Sequence, residues 1–157
     1  MGSIIDAMLA AAIVLSANAS APSCVTADDR VEKVIQAKRN ELQGEEYCQF
    51  RIYETLSDVD GDRHEDFLVV FSVEGVGGGG NSNVQFLAVF SSAADWKMDL
   101  VEVARRGKRS VTAIKTTGSS IELSTLEYAG QDAMCCPSKP GTMTWTFRNG
   151  KIWREAP

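Results

Sequence analysis

Two apolar runs dominate the chain, FLVVFSV at residues 67–73 and VQFLAVF at 84–90. Both are rich in β-branched and aromatic residues and bounded by turn formers, so they read as buried strands. Other runs follow at short intervals, at 98–103, 111–116 and 121–128, and residues 47–56 alternate in part. The last stretch, TMTWTFRNGKIWRE, places Asn149-Gly150 between alternating runs, the pattern of a type I′ hairpin. Such a turn pairs Phe147 with Ile152 and puts Met143, Trp145 and Phe147 on one face, toward the core. Only residues 27–43 carry a helical period. Val31, Val34, Ile35, Lys38 and Leu42 fall on one side, Thr26 is placed to cap, Asp28 and Asp29 suit the positive end, and Gly44 is placed to stop the helix. The pattern predicts an α+β protein: one N-terminal helix on a curved antiparallel sheet of about eight strands. Residues 20–157 form a single domain in this reading.

The first residues read as a leader. An apolar run from Ala7 to Leu15 is too short to span a bilayer, and Ala17-Asn18-Ala19 fits a signal-peptidase site, giving a signal peptide over residues 1–19. The expectation is a periplasmic or secreted protein that does not span the membrane. Ala21-Pro22-Ser23 before Cys24 lacks the aliphatic residue of a lipobox. Four cysteines agree with an oxidising compartment: Cys24, Cys48, Cys135 and Cys136. Four allow three pairings. The small ring closed by neighbouring cysteines disfavours their bonding to each other, so the expectation is two disulfides in which Cys135 and Cys136 each reach back to Cys24 or Cys48.

The net charge of −5 opposes nucleic-acid binding, which depends on neutralising phosphates. Arg105, Arg106, Lys108 and Arg109 are a local basic cluster, read as a solvated turn between strands. Gly75 to Gly80 includes the spacing of a dinucleotide loop. A strand follows it, however, where a nucleotide site needs a helix, so the segment reads as a hairpin tip.

The densest chemistry is DVDGDRHED at 58–66. Counted from Asp58, carboxylates stand at positions one, three, five and nine (Asp58, Asp60, Asp62, Asp66), and the carbonyl of His64 at seven. That is an oxygen pattern for a hard cation, and Gly61 lets the backbone bend. The bland alternative is a polar turn whose aspartates cap backbone N–H groups. The stretch is not an EF-hand, because Arg63 and Val69 stand where that loop needs glycine and glutamate. It resembles the calcium loop of FG-GAP repeats, in which spaced aspartates lead into an apolar strand. That resemblance implies Ca²⁺ on Asp58, Asp60, Asp62 and Asp66, but not a propeller, which needs several repeats.

A second resemblance lies at the C-terminal end. DAMCCPS followed by TMTWTFRNGKI resembles LppP/LprE-type bacterial envelope proteins, which implies export rather than an activity. No G-x-S-x-G or H-E-x-x-H occurs, and no catalytic residue is assigned. The expectation is a non-enzymatic binding module with a structural calcium loop and a protein partner in the cell envelope, such as an inhibitor or immunity protein. The alternative is a calcium-dependent envelope hydrolase.

Overall fold

The computed structural model describes residues 24, 28–92 and 97–155. The leader at 1–19 and the proposed cap Thr26 lie outside the described residues. The α+β class is borne out. Among the described residues, helix α1 (Asp29–Leu42) precedes nine strands: β1 (Glu45–Glu46), β2 (Ile52–Ser57), β3 (Asp66–Glu74), β4 (Asn83–Phe90), β5 (Met98–Arg105), β6 (Arg109–Thr117), β7 (Ser120–Glu127), β8 (Lys139–Arg148) and β9 (Lys151–Arg154). The sheet runs β1-β3-β4-β5-β6-β7-β8-β9, with β2 on the same side of β3 as β1, and each pairing of described strands is antiparallel.

Strands β3 and β4 are apolar along most of their length because both of their faces are covered there. One face carries Val69, Phe71, Val73, Val84, Phe86, Ala88 and Phe90, under Val31 and Ile35 of α1. The other carries Leu68, Val70, Leu87 and Val89, which share a core with Val111, Ile121, Leu123, Met143, Trp145, Phe147 and Ile152 of the β6–β9 half. Strands β5 and β6 pair only at Arg105 and Arg109. Where they part, the Gln85 side-chain Oε1 accepts the Val111 N–H at 2.7 Å.

The C-terminal hairpin is as expected. Phe147 pairs with Ile152, Asn149 and Gly150 take φ of 53° and 75°, and Met143, Trp145 and Phe147 are buried. Lys38 keeps its place in the apolar period of α1 because its ammonium lies over the Phe86 ring, 5.4 Å from the centroid. The basic turn also falls between β5 and β6, as expected.

Three details differ from expectation. Asp28 caps α1, its Oδ1 accepting the Arg30 N–H at 2.9 Å. Gln43, not Gly44, takes the left-handed conformation after the helix, at φ 52° and ψ 46°. Gly44 has another role: a Cβ there would sit 2.5 Å from the Glu74 carbonyl oxygen. Gly44→Ala should therefore push β1 off β3 and cost about 1–3 kcal/mol in urea unfolding; an unchanged midpoint would show that the two strands are not in such close approach. Residues 47–51 do not begin a strand either. Cys48–Phe50 form a short 3₁₀ turn, and the strand begins at Ile52.

The disulfide pairing is a correction. Cys24 bonds to Cys48 and Cys135 to Cys136. All four cysteines are used as expected, but the neighbours pair with each other. The reason lies in their surroundings. Cys24 and Cys48 stand 5.1 Å apart at Cα, which leaves the late pair only itself. The loop that carries the late pair is also locally tied. The Asp132 carboxylate accepts the Ala129 N–H, the Ser138 N–H and the Ser138 hydroxyl at 2.7–2.8 Å, so the segment folds onto its own ends. Those bonds hold the Asp132 carboxyl below its usual range, the Ala129 amide most of all.

Candidate metal site

The aspartate loop joins β2 to β3 and is pinned at both ends. Val59 is fully buried in the core between two aspartates, and Asp66 opens β3 at 1 % exposure. Gly61 and Arg63 take positive φ, 83° and 71°, which turns the chain tightly enough to bring alternate side chains inward.

Within that turn the carboxylates of Asp58, Asp60 and Asp66 come together: one oxygen from each lies within 4.8 Å of the other two. Asp62 is not in this group. Its Oδ1 accepts the His64 N–H at 2.8 Å and lies 3.3 Å from the His64 ring Nδ1. His64 is exposed.

Each aspartate also accepts backbone N–H groups, as the polar-turn alternative requires. Asp58 takes those of Gly61 at 2.7 Å and Arg63 at 3.0 Å, and Asp60 takes that of Asp62 at 3.1 Å. Asp66 takes Val59 at 2.7 Å, Asp60 at 3.3 Å and Ser92 at 3.1 Å. Capping thus accounts for much of the loop's order. It leaves the charge on Asp66 without a cationic partner among the described residues.

Asp66 is almost wholly buried, and among the described residues no Lys, Arg or His makes an ion pair with it. Burial pushes its carboxyl up from the usual range; the Ser92 and Val59 N–H groups pull it back, and the neighbouring Asp60 charge pushes it up further. Buried charges are usually paired or metal-bound. Three converging carboxylates, one of them buried without a cationic neighbour, suit a hard cation that prefers oxygen.

Sequence reading did not include Ser91 and Ser92 in this site. Ser91 donates its hydroxyl to Asp60 Oδ2 at 2.5 Å, and Ser92 supplies the N–H to Asp66. The signal was available. Pairing the two apolar runs in register sets Phe67 opposite Phe90, which brings the two serines beside Asp66.

The chain matches no protein-family model, no curated protein and no solved structure.

Proposed function

We propose that the chain is an exported, non-enzymatic binding module in which Asp58, Asp60 and Asp66 hold one structural Ca²⁺ and a curved sheet presents loops to a protein partner in the cell envelope, of the inhibitor or immunity type. The observation that supports the ion is the buried charge of Asp66, with no ion pair among the described residues, beside two further carboxylates. Asp62 and the His64 carbonyl follow in the spacing of the loop, with Asp62 standing outside the three converging carboxylates. An ion there ties the start of β3 to the exit of β4 through Ser91 and Ser92, and so fixes the base of the central hairpin.

The partner-facing end is the opposite one. The glycine-rich tip, Arg106 and the Cys135 loop border one hollow there. Loops set on a rigid sheet are where recognition concentrates. The leader and the two disulfides support export.

The test is a pull-down from envelope extract with the tagged mature chain, in calcium and in chelator. A single stoichiometric protein partner retained in calcium is the expected result. No partner, together with turnover of peptidoglycan fragments, would overturn this reading in favour of the hydrolase.

A further inference from the structure

We infer that the cleft at the Glu74 end of the central hairpin is a binding site for a small carboxylate ligand, which goes beyond the protein-partner reading and makes no use of the calcium loop. Two adjoining hollows of about 310 and 370 Å³ share Glu74, Asn83, Arg106, Tyr128 and Cys135. Each is within the size range of small-ligand sites.

The floor follows from period two. Along one face of β3 come Leu68, Val70, Ser72 and Glu74, opposite Val89, Leu87, Gln85 and Asn83 of β4. The first two pairs are core, and the last two are polar and line the larger hollow. Ser72 and Gln85 are each only 3 % exposed. Buried polar groups destabilise a strand pair unless they find partners. Gln85 Oε1 takes the Val111 N–H at 2.7 Å, and the side chain lines the larger hollow.

The charge balance selects an anion. Arg106 donates through Nε to the Met134 carbonyl at 3.3 Å and through Nη1 to the Asn81 carbonyl. It makes no ion pair among the described residues. A guanidinium has five N–H donors in a fork that matches a carboxylate, so most of its donors remain for a ligand. Arg109 lines the same cleft and shares its charge with Glu127 at 3.5 Å. Glu74 is the one acid among the described lining residues, which disfavours a dianion such as phosphate. The Cys135–Cys136 disulfide and the Tyr128 ring add apolar surface beside the arginines, and the Tyr128 hydroxyl is held by the Met134 carbonyl at 2.7 Å. The ligand is therefore a monocarboxylate on a compact ring or short chain, from either an acidic sugar or a peptide C-terminus.

Amide NMR titration of the full mature chain tests this. The probes are glucuronate and acetyl-Ala-Ala, with glucuronate methyl ester, acetyl-Ala-Ala amide and inorganic phosphate as comparisons. At least one acid should give saturable shifts at Glu74, Asn83, Arg106 and Tyr128, and the uncharged forms none; which acid binds identifies the source. Arg106→Gln should weaken that acid about tenfold or more. Because Arg106 also braces two backbone carbonyls, Glu74→Gln is the second variant. It removes the cleft's acid and should tighten binding severalfold, which loop damage does not do. Any of four results overturns the inference: no saturation with either acid, equal binding of the uncharged forms, preference for phosphate, or no gain from Glu74→Gln. Binding should persist in chelator, because Glu74 lies eight residue steps from Asp66, about 26 Å along β3. A failure of the calcium loop is thus read separately.

Discussion

Arg51→Met should destabilise the protein by about 3–5 kcal/mol, the range for removing one member of a buried ion pair. The Arg51 side chain is 5 % exposed and that of Glu46 4 %. Arg51 Nε donates to Glu46 Oε1 at 2.6 Å, and its Nη1 reaches Glu32 of α1 at 2.7 Å and the Tyr53 hydroxyl at 2.7 Å. One guanidinium therefore joins α1, β1 and β2. Burial works against its charge, but the bonds to Glu46, Glu32 and Tyr53 outweigh that and raise its pKa further. Methionine keeps much of the volume and strands the Glu46 carboxylate without a counter-charge. The double variant Arg51→Met, Glu46→Gln should recover a large part of the loss, because no buried charge is then left alone. Urea unfolding of the two single variants and the double variant measures both quantities. A loss under about 1 kcal/mol for Arg51→Met would mean that Glu46 is solvated in solution.

Phe71→Ala should cost a similar amount, about 3–5 kcal/mol. Phe71 has no exposed surface, and it stacks on Phe86 with ring centroids 5.5 Å apart. It lies in the layer between α1 and the sheet, with Val31 and Ile35 on the helix side. Alanine would leave a hole beneath the helix, since β3 is held by strands on either side and cannot close in. The helix should loosen first, so hydrogen exchange in α1 should rise more than in β7 and β8. Equal protection in both regions, with a small loss of stability, would show that α1 does not depend on this layer.

The elements that were legible share a physical feature: their side chains alone fix their surroundings. The runs at 67–73 and 84–90 could only be buried strands, and Asn149-Gly150 could only close a tight hairpin. Strand β1 was not legible, because it is two glutamates, and the charge of Glu46 is matched by Arg51, which the local pattern does not reveal. The helix cap was misplaced at Thr26 because Asp28 is equally able to accept an N–H, and spacing does not separate the two. The stop at Gly44 was misplaced because the need for glycine there comes from the Glu74 carbonyl thirty residues on. The cysteine pairing depended on which segments meet, and the Asp132 bonds that fold the late loop onto itself have no signature at the level of cysteine spacing. In the candidate site, Asp58, Asp60 and Asp66 were legible from their spacing. Ser91 and Ser92 were legible only through the register of the two apolar runs, not through the loop's own spacing. The cleft was half legible, because Ser72 and Gln85 interrupt two otherwise apolar runs at positions that face each other.

The central claim is that a calcium ion fixes the base of the β3–β4 hairpin. Its most direct test is the thermal midpoint of the mature chain in calcium and in chelator, for wild type and Asp60→Ala. A ligand bound only by the folded state stabilises it by about 2.7 kcal/mol at a hundredfold excess over Kd, a shift of about 5 °C or more for a domain of this size. Wild type should show that rise in calcium, and Asp60→Ala, which lacks one of the three converging carboxylates, should show none. Superimposable wild-type melting curves in calcium and in chelator would contradict the claim and leave the aspartates as caps for the loop's own backbone.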